Sequence, residues 1–375
     1  MQGYIRKRGK DTWQVCVNLG RDPLTHKRRQ RYESVKGTER EAEAVLVRLL
    51  HQRDTGFEIE PGRLTVAGFL ERWLKDYAQP RTAPKTALRY SELMRLHVIP
   101  VIGEIPLAKL KPMHIQAVQG EILAKGLSGR TALHVHRVLK EALGHAVRWQ
   151  LVYRNAADAV EPPRPDRYEI RIPPPEDIRR ILAAADETPH GTLIYVAATT
   201  GLRLGELLGL RWRDVDLSNG TLSVTQNAQW VDGRMIFRTP KTAKSRRSVA
   251  LSASTVQRLR EHRQQQLEQR MALGPAYIDH GLVFTNAVGE PLTPHGGIRS
   301  TWAKVTRSLG FPGLRIHDLR HAHASLMLAQ GTHPKVVSER LGHATVGITL
   351  DIYSHVLPGL QREAAERLDE LLVVK

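Results

Sequence analysis

Arg315-Ile-His317-Asp-Leu-Arg320-His321-Ala-His323, then Leu341-Gly-His343, then Thr349-Leu-Asp-Ile-Tyr353-Ser-His355 form the most informative run of this 375-residue chain. Two basic positions precede it. Arg203 stands in Ala198-Thr-Thr-Gly-Leu-Arg203-Leu-Gly-Glu206-Leu, and Lys241 in Arg238-Thr-Pro-Lys241-Thr-Ala-Lys244-Ser-Arg246-Arg247. Arg203, Lys241, His317, Arg320, His343 and Tyr353 together supply a phenol, two permanent cations, two imidazoles and an amine. The set suits attack on a phosphodiester, whose transition state is anionic and whose nucleophile needs only proton management.

Each position also has a plainer reading. Arg203, on a small-residue loop, can grip a non-bridging phosphate oxygen with two N–H groups. Glu206, three residues on, can orient it, or the two make an ordinary helix salt bridge. Lys241 falls between two expected strands. An amine there can protonate a leaving 5′ oxygen, with neighbouring cations lowering its pKa. Lys244 competes for that role, and the cluster with Arg246 and Arg247 also reads as phosphate binding alone. His317 and His321 stand i, i+4 and invite a zinc reading. Asp318 stands where a zincin needs Glu, and no clear third ligand follows, so no metal is expected. His321 and His323 read as structural. Arg320 lies one turn from His317, so both can face one phosphate. His343 can hydrogen-bond a phosphate oxygen or move a proton. Tyr353 taken alone reads as core. Its phenol titrates near 10 in model peptides, so cations and proton transfer must assist attack.

The order Arg203, Lys241, His317-x-x-Arg320, His343, Tyr353 resembles that of the tyrosine recombinases, the phage-integrase type of site-specific DNA recombinase. The resemblance implies that Tyr353 is the nucleophile, with Arg203, Lys241, His317, Arg320 and His343 around the scissile phosphate. It implies a 3′-phosphotyrosyl intermediate, a free 5′ hydroxyl and no cofactor. It also implies a homotetramer on double-stranded DNA, with accessory directionality or DNA-bending proteins. Three alternatives stay open: a Xer-like resolvase, a type-IB topoisomerase-like enzyme, and a non-catalytic DNA-binding regulator.

Composition agrees with a nucleic-acid partner. Lys plus Arg number 56 against 38 acidic residues, a net charge of +18. A polyanion explains that excess through counterion release; the alternative is a basic protein with no such partner. No basic amphipathic helix stands apart to suggest a membrane surface. No apolar run reaches the ~18 residues of a span, and the N-terminus lacks a signal-peptide core. A cytoplasmic location is expected. The single cysteine, Cys16, sits in an alternating run and reads as a small buried apolar residue.

The length predicts a multidomain chain. Residues 1–60 read as a small α+β domain. Strands are expected at Gly3–Arg8, Trp13–Leu19 and Arg28–Ser34. The capping box Thr38-x-x-Glu41 then opens a helix with Ala42, Val45, Leu46, Leu49 and Leu50 on one face. Arg6, Lys7, Arg8, Lys27, Arg28, Arg29 and Arg31 mark that sheet as a DNA-contacting surface or a solvated charged face. The layout resembles the arm-site DNA-binding domain of many integrases. Residues 62–160 read as an all-α bundle of four helices. In the first, Val66, Phe69, Leu70, Trp73, Leu74 and Tyr77 share a face; the second, begun by Pro84 and ended by Pro100 and Gly103, carries Leu88, Leu93 and Leu96. The bundle resembles the family's core-binding domain. Residues 161–175 hold six prolines and read as a linker. Residues 176–375 read as a mainly α catalytic domain with a small antiparallel sheet. Its strands are Thr221–Gln226, Arg234–Thr239 and Arg247–Leu251, with Asp232-Gly233 as a hairpin turn. At the C-terminus Leu360, Ala364, Leu368, Leu371 and Leu372 form an apolar stripe, which the resemblance makes an assembly element.

Overall fold

The computed structural model describes residues 3–21, 28–54, 64–165, 172–239, 246–293 and 297–353, with 365–366, 369 and 372 beyond. Lys27, Lys241, Lys244 and most of the C-terminal stripe lie outside these residues. The chain divides into two compact units, Met1–Arg167 and Tyr168–Lys375. Helices and small antiparallel sheets make up both, as the sequence predicts. Among the described residues no helix is long and apolar enough to cross a membrane.

The first unit opens with an antiparallel sheet in the order β1 (Gly3–Gly9), β2 (Thr12–Arg21), β3 (Arg28–Lys36). Helix α1 (Glu39–Asp54) follows. The expected capping box is formed: Glu41 accepts the Thr38 N–H at 2.7 Å, and Thr38 Oγ1 accepts the Glu41 N–H. Val15 and Val17 bury one sheet face against Ala42 and Leu49. Strand residues alternate between faces, so Cys16 falls on the other. It pairs with Tyr4 and Tyr32 across the sheet and is only 1% exposed.

This alternation corrects one expectation. Arg6 and Arg8 lie on the open face, where the Arg8 Nε–H donates to Gln14 Oε1 at 2.9 Å. Lys7 lies on the helix-covered face, 5.4 Å over the Trp13 ring. Arg31 shares that face, because it pairs with the buried Val17. The basic residues therefore do not form one surface. Arg28 and Arg29 open β3, and their side chains lie outside the description.

The helical bundle of this unit contains α2 (Val66–Trp73), α3 (Pro84–Leu93), α4 (Pro112–Ala124) and α5 (Gly129–Arg148). Val66, Phe69, Leu70 and Trp73 are fully buried, as their spacing predicts. The Trp73 indole N–H donates to His145 Nδ1 at 2.8 Å. Both α2 and α3 run on through a π-helical turn, Leu74–Ala78 and Met94–Val98, into short α-helical ends. Each turn stops two residues before a proline, Pro80 or Pro100. A widened turn relieves the clash between a proline ring and the carbonyl four residues back. Pro100 therefore does not end its helix, which continues to Ile102. Ala87, Leu93, Met94 and Val98 are buried, while Leu88 and Leu96 are exposed.

The second unit begins with α6 (Pro175–Asp186), α7 (Gly191–Thr200) and the short α8 (Leu204–Leu208). Strands β4 (Val215–Asp216), β5 (Thr221–Val224), β6 (Asn227–Val231), β7 (Arg234–Arg238) and β8 (Arg247–Ala250) follow. They make two antiparallel sheets, β4-β5-β8 and the hairpin β6-β7. Strand β6 was not expected. The hairpin turns at Asp232-Gly233, whose φ values of 52° and 74° suit that dipeptide. Helices α9 (Ala253–Leu273), α10 (Gly297–Ser308), α11 (Asp318–Ala329), α12 (Pro334–Leu341) and α13 (Val346–Tyr353) complete the unit. One core joins Ile181, Ile194, Leu207, Leu222, Val249, Leu259, Val283, Trp302 and Leu319.

Candidate active site

Two glycine corners bring the basic motifs together. Gly201 ends α7 with φ of 67°, and a Cβ there would lie 2.6 Å from Leu341 and 2.8 Å from His323. Gly342 ends α12 with φ of 67°, and a Cβ there would lie 2.9 Å from Arg247 Nη1. Both positions need left-handed backbone and close approach, so only glycine fits without strain.

Arg320 stitches these corners. It is 3% exposed, and its guanidinium donates to the Gly201 and Leu341 carbonyls, each at 2.7 Å. The loop carrying Arg203 and the loop carrying His343 are thus held by one cation. The Arg203 Nη2–H also reaches the Gly342 carbonyl at 3.5 Å.

Glu206 is the anionic centre of this group. It accepts the Arg203 backbone N–H at 2.9 Å and Arg203 Nη1–H at 2.9 Å. It also accepts Arg247 Nη1–H at 3.1 Å and Nη2–H at 2.9 Å. Burial pushes its carboxyl pKa up, but the Arg247 bond and charge, then Arg203, hold it below the usual range. The orientation of Arg203 by Glu206 is as expected; the second arginine is not. Arg247 was read as a DNA-binding residue. Its side chain is instead 6% exposed, and its Nε–H donates to the Arg340 carbonyl at 2.6 Å. All three guanidinium nitrogens of Arg247 donate to Glu206 or to the Arg340 carbonyl, so the side chain is engaged within the scaffold. Arg246, its neighbour, is exposed.

The histidines divide by surroundings. His317 precedes α11, exposed, with its ring edge-to-face to His321 at 5.2 Å. Partial desolvation of the ring by its neighbours, then the Arg320 charge, lower its pKa despite Asp318. His321 is pushed to about 4 by burial and then by His317. His323 is held at both nitrogens. Nδ1 lies 3.0 Å from the Ala198 carbonyl, and Nε2 accepts the Arg340 Nε–H at 3.0 Å. Burial, then Arg340, push its pKa to about 4. Its place is in the scaffold, as expected. Among the described residues no three His, Cys, Asp or Glu side chains group to hold a metal.

His343 sits at the junction. Burial, then Arg320, Arg203, His321 and Arg247, push its pKa to about 4, so it is neutral near pH 7. Its Nδ1 lies 2.8 Å from the hydroxyl of Thr349, a fully buried residue on α13. Tyr353 is the last residue of the same helix. Thr349 was not singled out from the sequence. Its position one turn before the tyrosine was the available signal.

Geometry and charge thus set Arg203, Arg320, His317 and His343 together as an anion-binding cluster with neutral imidazoles. Residues 174–359 match the model of the phage integrase family, and residues 65–123 match that of the phage integrase N-terminal SAM-like domain. A tyrosine recombinase XerC-like protein of Caldanaerobacter subterraneus is 29% identical over 98% of this chain and 98% of its own. An integrase of Streptomyces ambofaciens is 30% identical over 95% of this chain and 92% of its own. Among solved structures, the Tn1549 transposon integrase in complex with transposon right end DNA superposes with a TM-score of 0.70. It is 22% identical over 81% of this chain and 99% of that one, a likeness of fold.

Proposed function

The chain belongs to the phage integrase family, the tyrosine recombinases, and from that membership we propose how its residues divide the chemistry. It is a site-specific recombinase that breaks and rejoins DNA, integrating or excising a mobile element. Tyr353 Oη attacks the scissile phosphorus and gives up its proton to solvent water. A 3′-phosphotyrosyl bond forms as the bond to the 5′ oxygen breaks, and Lys241 protonates that oxygen. The 5′ hydroxyl of a partner strand reverses the step, so the bond energy stays in the covalent link and no cofactor enters. Arg203 and Arg320 bind the non-bridging oxygens, whose charge grows in the transition state. His317 and His343 hydrogen-bond the same phosphate. Glu206 orients Arg203.

One observation carries this reading. A buried Arg320 ties the Arg203 loop to the His343 loop, and His343 touches the helix that ends in Tyr353. Four protomers act on two double-stranded DNA sites. Residues 62–160 grip the core site and residues 1–60 a separate arm site, through Arg6, Arg8, Arg28 and Arg29. The test is a DNA duplex nicked beside the cleavage position, which traps a covalent complex. Wild-type protein forms the adduct, while Tyr353→Phe binds the same DNA and forms none. An adduct at wild-type yield in that variant refutes the assignment.

A further inference from the structure

The hydroxyl of Thr349 fixes more than a contact. It is fully buried, on the helix that carries Tyr353, and lies 2.8 Å from His343 Nδ1. A buried hydroxyl must place its proton on an acceptor or bear the cost of leaving it unpaired. Among the described residues it meets no second acceptor. If Nδ1 carried a proton, two donors would face each other or the hydroxyl proton would be stranded. The satisfied arrangement has Thr349 donating to a bare Nδ1, which puts the imidazole proton on Nε2.

We propose that Thr349 is a positioning residue that holds His343 in the Nε2–H tautomer, so that His343 serves the phosphate as a neutral hydrogen-bond donor. This rests on the reading of the site given above. The low pKa of His343 supports it, since a neutral ring has a tautomer to choose. The arrangement also links two events. Thr349 lies one turn before Tyr353, so the placement that brings the nucleophile to the site is the one that sets the donor. When α13 leaves its seat, His343 loses its lock and the two nitrogens become interchangeable.

The experiment uses the full chain labelled with 15N-histidine, with His343→Gln used to assign the His343 signals. In the wild type Nδ1 should carry the shift of a bare nitrogen and Nε2 that of a protonated one. Thr349→Val, nearly the same shape, should give a mixture of tautomers, and Thr349→Ser should restore the wild-type pattern. Cleavage of the nicked duplex should fall ~3- to 10-fold in Thr349→Val, the worth of one net hydrogen bond, and recover in Thr349→Ser. DNA binding should not change. A protonated Nδ1 in the wild type overturns the proposal, as does a Thr349→Val protein that keeps the wild-type tautomer or cuts at the wild-type rate. Undiminished cleavage by His343→Gln is a different failure. It removes His343 from the mechanism while the tautomer measurement still judges Thr349.

Discussion

Replacing Arg247 by methionine separates the buried pair from the surface contact expected of the sequence. Methionine keeps the length of the apolar stem and removes the guanidinium. Among the described residues Glu206 then loses two of the four hydrogen bonds it accepts, those from Arg247 Nη1 and Nη2, and keeps the two from Arg203. The carboxylate stays 5% exposed. Stranding one partner of a buried pair costs about 3–5 kcal/mol. The surviving Arg203 bonds put this case at the low end, about 3 kcal/mol. The lost bond to the Arg340 carbonyl adds about 1 kcal/mol. The assay is urea unfolding of the full chain, resolved by hydrogen exchange over residues 172–353. Glu206→Gln combined with Arg247→Met should recover a large part of the loss, because no buried charge is then left alone. A loss under about 1 kcal/mol in the single variant, with no recovery in the double, refutes the reasoning. If Arg247→Met is instead as stable as wild type and flattens the salt dependence of DNA binding by about one charge, Arg247 is a phosphate contact after all.

Lys241→Ala should slow cleavage, and a 5′-bridging phosphorothiolate should restore the rate, because sulfur leaves without a general acid; rescue of Lys244→Ala instead would name the other lysine. Arg203→Ala should reduce cleavage ~100- to 1000-fold with DNA affinity nearly kept, the cost of one transition-state donor; a merely proportional loss of binding would make it an anchor. His323 is neutral in the fold with a pKa of about 4, below the ~6.5 of an unfolded histidine. Its contribution is therefore full above pH 6.5 and is lost as pH falls towards 4, on the order of 3 kcal/mol. His323→Asn should flatten the stability–pH curve in that window, and an unchanged slope in urea melts would contradict the burial argument. Arg6→Ala with Arg8→Ala should weaken binding to an arm sequence more than Lys7→Ala with Arg31→Ala, as gel-shift titrations can measure; equal losses would mean that the two sheet faces are not distinguished.

What the sequence made legible was local. The spacing from Val66 to Tyr77, the Thr38–Glu41 box and the Asp232-Gly233 turn each depend on neighbours within a few residues, and each formed as read. Strand β6 escaped because Asn-Ala-Gln-Trp-Val has no clean alternation and is fixed by its partner β7. The π-turns escaped because their cause is a proline that reads as a stop. The fate of Arg247 depends on Glu206, 41 residues earlier, and on a carbonyl 93 residues later, separations that no local pattern reports. The split of the sheet arginines was within reach. Arg6 and Lys7 are adjacent, and adjacent strand residues cannot share a face.

Cys16 is the sole thiol of the chain, clasped between Tyr4 and Tyr32 in the middle strand. That makes it a native reporter. A thiol reagent added under folding conditions can react only when the strands part, so its rate clocks the opening of the N-terminal sheet alone, without an engineered label. Arm DNA laid across the tyrosines would slow that clock, and core DNA would leave it running. One colorimetric trace can thus test whether a given DNA sequence occupies this sheet, as proposed for residues 1–60.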